Sequence, residues 1–156
     1  MDALALDDVA DMLAATRRLE DRVSSVAVLP VVRGMAEMSE QFAGESRESI
    51  AAPAARLASA VSQFRGWLEH AAGADPAARR SLRTALKLAE ECGEPDRLTH
   101  ALSFRAYVEA ESANYGAADA LSAAAVAVPG DAPLARRLRT IPTRPHAGSH
   151  RGVPCR

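Results

Sequence analysis

Cys92 is one of the two cysteines of this sequence, and a cysteine thiolate can act as a nucleophile. Cys92 follows Glu90 and Glu91 in the last turn of a predicted helix. The negative end of the helix dipole and the two carboxylates disfavour a thiolate there, because a thiolate would add a further negative charge. We therefore expect Cys92 to be a small buried or half-buried packing residue.

Three further side chains that can bind a metal lie near the carboxyl end of the chain, at His146, His150 and Cys155. They stand in a Pro/Gly-rich stretch without a second ligand cluster, whereas structural zinc sites take four protein ligands. The sequence also has no Ser/His/Asp arrangement, Gly-rich phosphate loop or H-E-x-x-H motif. We predict no metal site, no cofactor and no enzymatic activity.

Charge is distributed unevenly along the chain. Up to Asp131 there are 13 basic and 20 acidic side chains, a net charge of −7, and six arginines follow. Because an acidic body binds polyanions poorly, we expect no specific binding of nucleic acid by this chain. The acidic amino terminus, the lack of an apolar run of about 20 residues and the absence of a disulfide framework predict a cytoplasmic protein without membrane association.

The composition favours helices. Hydrophobic residues make up 48% of the 156 residues and aromatic residues only 4%, while alanine is abundant. Alanine is the best helix former, and no segment alternates apolar and polar residues with the period of a strand. We predict one all-α domain over residues 1–140, comprising an N-terminal helix pair (1–45) and helical hairpins (46–140), followed by a disordered basic tail (141–156).

The clearest local pattern is a helical hairpin between Ser62 and Asp96. Asp75 is expected to cap its second helix and Pro76 to occupy the first turn of that helix. Small residues, Gly66 among them, predict a close approach of the two backbones. The predicted apolar faces are Ala60, Phe64, Trp67 and Ala71 on the first helix and Ala78, Leu82, Ala85, Leu86 and Ala89 on the second.

The same spacing rule places the other helices. Helix one covers residues 6–23 and is predicted to bury Val9, Met12, Thr16, Leu19 and Val23. Helix two is predicted to have Pro30 in its first turn and to bury Val31, Met35, Met38 and Phe42. Helix three is predicted to start near Pro53 and end near Ala72, and later helices to end near Ala113 and to cover 117–128 and 133–140. Ala78, Leu82 and Ala85 correspond in order to Ala118, Ser122 and Ala125 at one constant offset in the sequence, so the hairpin recurs.

Two families resemble this pattern. Gly66, Ala78, Leu82 and Ala85 resemble the tetratricopeptide repeat, although Ser62 and Glu69 stand where that repeat favours large residues. Residues 63–107 look like the C-terminal sensor region of actinobacterial helix-turn-helix (XRE-type) transcriptional regulators, and residues 13–35 resemble the helix pair that precedes it. The positions that carry this likeness are Gly66-Trp67-Leu68, Ala85-Leu86 and Arg105. The DNA-binding domain of that family has no counterpart in this sequence.

The resemblance implies a right-handed solenoid of six or seven helices arranged as antiparallel pairs. It also implies a concave partner-binding groove formed by Gln63, Trp67, His70, His100, Ser103, Phe104 and Tyr107. The alternative for Phe64, Trp67 and Phe104 is that they only pack between helices. Our first functional hypothesis is a protein-interaction and sensor module related to such regulators, without its own DNA-binding head. The alternative is a free-standing tetratricopeptide adaptor that binds a peptide or a partner helix.

The predicted helix over residues 117–128 is apolar around most of its circumference. The following segment offers only Leu134, Ala135 and Leu138 to cover it. An uncovered apolar strip on a terminal helix predicts a homodimer through the C-terminal helices. The alternative is that the aliphatic stems of Arg136, Arg137 and Arg139 lie over the strip.

Overall fold

The computed structural model describes residues 3–129, and every regular element within that range is helical, which confirms the predicted all-α class. The helices are α1 (Ala3–Glu20), α2 (Ser25–Glu45), α3 (Ala51–Ala71), α4 (Asp75–Cys92), α5 (Pro95–Glu111) and α6 (Tyr115–Ala127), with a 3₁₀ turn (Glu48–Ile50) before α3. The helix predicted for 133–140 and the tail 141–156 lie outside the described residues. No helix between residues 3 and 129 has both the length and the hydropathy of a membrane-spanning segment.

The buried face of α1 differs from the predicted one. Met12, Leu19 and Val23 are exposed, so the prediction was wrong at these three positions. Val9 and Thr16 are buried as predicted, and Leu6 and Leu13 complete the face. Val9 and Thr16 belong both to the predicted apolar series and to the observed one, so spacing alone does not decide which face is buried. Packing against α2 decides it: the Thr16 hydroxyl contacts Met35 Sδ at 3.9 Å, and Leu13 shares a core cluster with Met35.

Helix α2 begins earlier than predicted, because Ser24 caps it. The Ser24 hydroxyl accepts a hydrogen bond from the Ala27 amide, which fixes the helix start at Ser25, ahead of Pro30. Pro30 is an exposed residue inside the helix. It has no backbone N–H to donate to the carbonyl of Val26, four residues earlier, and Val26 is exposed as well. Val31, predicted to be buried, is exposed, and the buried face is Val28, Leu29, Val32, Met35, Ala36 and Ser39, with Met38 and Phe42 half-buried.

Helices α3 and α4 form the predicted antiparallel hairpin. A β-carbon added to Gly66 would lie only 2.7 Å from Leu82 Cγ and 3.3 Å from the Ala78 carbonyl oxygen, so the predicted close approach of the two backbones is confirmed. Further along the pair, the Ser59 hydroxyl donates to the Ala85 carbonyl at 2.8 Å. Ala71, predicted on the apolar face, is exposed because α3 ends there.

The turn from α3 to α4 recurs between α5 and α6. The Ala74 amide donates to the Glu69 carbonyl at 2.8 Å, and the Asn114 amide donates to the Glu109 carbonyl at the same distance. The left-handed residue in the turn is Gly73 in the first copy and Ala113, with φ 59°, in the second. The constant offset found in the sequence therefore relates two turns with the same hydrogen-bond pattern.

Asp75 is the first residue of α4 and not its cap, so this prediction was wrong. Ala74 occupies the cap position without a side-chain hydrogen bond. The Asp75 carboxylate instead accepts hydrogen bonds from His70 Nδ1 at 2.8 Å and from the Ser112 hydroxyl at 3.1 Å. It thereby joins the ends of α3 and α5 to the start of α4.

Helix α6 packs antiparallel on α5 and begins at Tyr115, two residues earlier than predicted. Leu102, Ala125 and Val128 form their common core, against which half-buried leucines of α4, α5 and α6 pack. The predicted inner stripe of α6 is thus covered by α5. Among the described residues, Ala123 and Val126 lie off this stripe and are exposed.

Candidate peptide-binding site on helices α3 and α5

Six of the seven predicted groove residues come together on α3 and α5. Gln63 contacts His100, Trp67 contacts Phe104, and His70 contacts Tyr107. The two members of each pair have the same separation in the sequence, so α3 and α5 run parallel and in register along this face. Helix α4, which connects them, packs against both.

Five rings form a continuous strip on this face, which we call the aromatic strip. In spatial order its members are His100, Phe104, Trp67, Tyr107 and His70, with ring centroids 5.0 to 6.4 Å apart. Trp67–Phe104 and His70–Tyr107 are edge-to-face pairs, the geometry that the ring quadrupoles favour. Tyr107 is 47% exposed and the other four rings are half-buried. The strip is thus both ordered by packing and accessible to a partner.

Ser103 and Phe64 do not belong to the strip. The Ser103 hydroxyl donates to the Thr99 carbonyl of its own helix at 2.8 Å and has no other hydrogen bond in the described structure. Phe64 is 8% exposed and lies in the core cluster with Leu68 and Val61. Phe64 therefore packs in the core and also lines the cavity described below, whereas Trp67 and Phe104 pack on each other and border solvent.

Gln63 of α3 and His100 of α5 lie in contact at one end of the strip. The Gln63 side chain is buried, and its Oε1 lies 3.1 Å from His100 Nδ1. Arg97 Nη2 lies 2.9 Å from the same nitrogen. Because a guanidinium can only donate, Nδ1 accepts from Arg97 when it is unprotonated and donates to Gln63 when it is protonated. Burial, followed by the positive charges of Arg97 and Arg17, lowers the pKa of His100 and keeps the ring neutral at pH 7.

His70 and Asp75 fix the opposite end of the strip. His70 Nδ1 donates to Asp75 Oδ1, which orients the imidazole edge-on to Tyr107. The hydrogen bond from His70, together with that from Ser112, lowers the pKa of Asp75. The carboxylate is therefore ionised throughout the neutral range, and Tyr107 packs against an imidazole that is held in place.

A cavity of about 340 Å³ opens beside the Gln63 end of the strip. It is lined by Gln63, Phe64 and Trp67 of α3, His100 and Phe104 of α5, and Arg17 and Glu20 of α1 with Asp21 after it. The Arg17 guanidinium lies 5.4 Å from the centre of the Phe64 ring, within the range of a cation–π contact. The α1 residues were missed in the sequence, because no local pattern indicates that the end of α1 reaches α3.

Two glutamates of the hairpins are buried although neither lies on a predicted apolar face. Glu69 is 5% exposed, accepts from the Ser81 hydroxyl at 2.6 Å and lies 3.7 Å from Arg33. Glu109, its counterpart in the second copy of the turn, is 3% exposed and accepts from Arg79 Nε at 3.1 Å. Burial alone would raise the pKa of Glu109, but the hydrogen bonds from Asn114 and Arg79 lower it below its ordinary value. Glu69 therefore joins α3 to α4, and Glu109 joins α5 to α4.

Within the described residues, the other side chains that could act as nucleophiles or metal ligands are not grouped into a further site. Cys92 is buried, as predicted, and its thiol contacts the Ala89 carbonyl at 3.2 Å. Within residues 3–129, no three His, Cys, Asp or Glu side chains are grouped as a metal site. His146, His150 and Cys155 lie outside the described residues.

In comparisons with known proteins, the chain matches no family model, no curated protein and no solved structure.

Proposed function

We propose that this chain is a cytoplasmic protein-interaction and sensor module, built of tetratricopeptide-like helix pairs, that binds an extended peptide segment across the aromatic strip. The antiparallel α3–α4 hairpin, the parallel register of α3 and α5 and the repeated turn support the tetratricopeptide-like arrangement, because such repeats stack their first helices side by side. The proposal assigns no catalytic step to the chain.

The aromatic strip is the observation that carries the proposal. Aromatic side chains with part of their surface exposed give large contact areas at small entropic cost, and they are enriched where proteins bind one another. The neighbouring cavity of about 340 Å³ has an aromatic floor and can take one large side chain of a partner. A strip with a side-chain pocket at one end fits a peptide that is anchored by one residue and lies along the rest.

The charge around the strip favours a basic peptide. Glu20 and Asp21 are among the residues that line the cavity, and the chain up to Asp131 carries a net charge of −7, with 13 basic against 20 acidic side chains. Arg17, which also lines the cavity, lies over the Phe64 ring. An arginine of the partner would stack on the faces of Trp67 and Tyr107 and form ion pairs with the carboxylates that line the cavity.

A random peptide library displayed on phage and selected on the full-length chain tests the proposal. Peptides recovered from the selection should be enriched in arginine and aromatic residues and should bind less tightly as salt is raised. Tyr107→Ser should weaken their binding by about tenfold or more, since it removes an exposed ring from the centre of the strip. Tyr115→Ser is the matched control, because Tyr115 is an exposed tyrosine of α6 that makes no ring contact with the strip. Equal loss in both variants, or no selectable peptide, would contradict the proposal.

Relation to a transcriptional regulator is the narrower part of the proposal. Its support is the resemblance at Gly66-Trp67-Leu68, where Gly66 packs on Leu82 and Trp67 lies in the centre of the strip. In this account the residues that the structure describes bind a partner segment and do not themselves bind a DNA sequence. A helix-turn-helix reading frame directly upstream in the genome would support this relation, whereas an intact unrelated gene there would favour the free-standing adaptor. A gel shift showing a sequence-specific complex that survives deletion of residues 141–156 would contradict it.

A further inference from the structure

A second cavity, of about 390 Å³, lies between α1, the start of α3 and the start of α5, and we call it the arginine cavity. Arg17, Arg56 and Arg97 line it, with Asp7 as the one carboxylate that the described residues place in its wall. Its apolar wall includes Leu6, Leu13 and Leu57. Three arginines from three helices thus contribute to the wall of one cavity whose other lining residues are mostly aliphatic.

The positive charge of this cavity is not balanced by the described side chains around it. Arg56 pairs with Glu94 at 2.9 Å, but neither Arg17 nor Arg97 lies within ion-pair distance of a carboxylate of residues 3–129. Arg97 donates through Nη2 to His100, while its Nε is buried without a hydrogen-bond partner in that range. A buried donor of a charged group that finds no acceptor is costly, and few such atoms persist in folded proteins.

Among the three arginines of the cavity, Arg97 has the pKa that its surroundings lower most. Burial, followed by the positive charges of Arg17 and Arg56, lowers its pKa to about 10, although Cys92 and Glu94 act in the opposite direction. Burial also lowers the pKa of Arg17. Arg17 and Arg97 repel each other, so an anion bound to both would stabilise the charged form of each.

We propose that the arginine cavity binds a small amphipathic acid, with its carboxylate or phosphate on Arg17 and Arg97 and a short aliphatic chain against Leu6, Leu13 and Leu57. The guanidinium fork matches the two oxygens of either oxyanion. The cavity volume lies within the range of small-molecule sites, and its wall combines apolar surface with a few polar groups, as such sites do. The arginine cavity shares Arg17 with the cavity beside the aromatic strip, and its Arg97 contacts His100 of the strip. The proposal of an acid site nevertheless does not rest on peptide binding at the strip.

Titration of the full-length protein with hexanoate and with hexyl phosphate, followed by calorimetry and by NMR of the arginine Nε–H groups, tests this proposal. Saturable binding of at least one acid is expected, with a shift of the Arg97 Nε–H signal, and the tighter of the two identifies the oxyanion. Hexan-1-ol and inorganic phosphate should each bind at least about tenfold more weakly, because each lacks one half of the recognition.

Substitutions locate the site. Arg17→Gln and Arg97→Gln should each weaken the acid about tenfold or more, whereas Arg83→Gln, which removes an exposed arginine of α4, should leave the affinity unchanged. Thermal unfolding establishes that each variant is folded, and if Arg97→Gln is not, the Arg97 Nε–H shift in the wild-type protein and the Arg17→Gln affinity decide. Three outcomes would overturn the proposal: no saturable binding of either acid, hexan-1-ol binding as tightly as the acids, or equal weakening by Arg83→Gln.

Discussion

Gly66 of α3 and Leu82 of α4 approach so closely that a β-carbon on the glycine would lie 2.7 Å from Leu82 Cγ. Leu82 is fully buried, so it cannot move aside without disturbing the core. This contact brings the two helices of the hairpin together, and the next residue of α3 is Trp67 of the aromatic strip.

Gly66→Ala should therefore destabilise the protein by about 1–3 kcal/mol, because the added methyl group overpacks the α3–α4 contact. Gly34→Ala is the matched control: Gly34 also lies inside a helix, but a β-carbon there meets no atom within 4 Å. It should stabilise the protein by about 0.5–1 kcal/mol through helix propensity alone. Urea unfolding measures the free energy of unfolding of both variants. If both substitutions changed it equally, the close approach of α3 and α4 would not contribute to stability.

Glu109→Gln should destabilise the protein by about 1–3 kcal/mol, because the substitution removes the ionised acceptor of Arg79 and Asn114. The position is 3% exposed, so water cannot replace the lost partner. Glu111→Gln, an exposed change in the same helix, should have almost no effect. Chemical denaturation compares the two variants, and a neutral Glu109→Gln would mean that the buried carboxylate does not hold α4 to α5.

His100 should make stability depend on pH. Its pKa in the folded protein is lowered from the ordinary value of 6.5 by burial and by Arg97 and Arg17. Between these two pKa values the unfolded chain binds more protons, so the free energy of unfolding falls as pH is lowered below about 6.5. His100→Gln should flatten this dependence in denaturation curves measured from pH 8 to pH 5. If the wild type and the variant lost stability in parallel, His100 would not be the responsible group.

Self-association should respond to Val126→Glu if α6 is a contact surface between two copies. Val126 is 36% exposed and lies off the stripe that packs on α5, so the substitution should change association without unfolding the hairpin. Sedimentation velocity at tens of micromolar should show a dimer in the wild type and a monomer in the variant. A wild-type monomer at that concentration, unchanged by the substitution, would exclude the predicted homodimer.

The helices of the α3–α4 hairpin were predicted well from the sequence. Residues such as Ala78 and Leu82 recur at helical spacing, and the small size of Gly66 indicates where the two backbones approach. The prediction failed for α1, since Val9 and Thr16 fit two apolar series equally and only contact with Met35 of α2 decides between them. The start of α2 was missed because the Ser24 cap determines it and Pro30 is tolerated inside the helix.

In the candidate site, too, some residues were predicted from the sequence and others were missed. The α3 and α5 contributors, such as Trp67 and Tyr107, followed from a resemblance that aligns the first helices of two repeats. The Arg17 guanidinium over Phe64 did not, because it depends on where a helix much earlier in the chain comes to lie. Asp75 was assigned to a local cap, whereas its carboxylate in fact bonds to residues of α3 and α5. Contacts between elements distant in sequence are what local patterns leave out.

Trp67 is the only tryptophan of the chain and lies in the middle of the aromatic strip, between Phe104 and Tyr107. Its fluorescence therefore reports directly on the proposed site. Titration of the full-length protein with a tryptophan-free, library-selected peptide should change the Trp67 emission saturably, with the same dissociation constant that calorimetry gives, and Tyr107→Ser should shift both together. Calorimetric binding of the peptide without any change in Trp67 emission would contradict the proposal that the strip is the binding site.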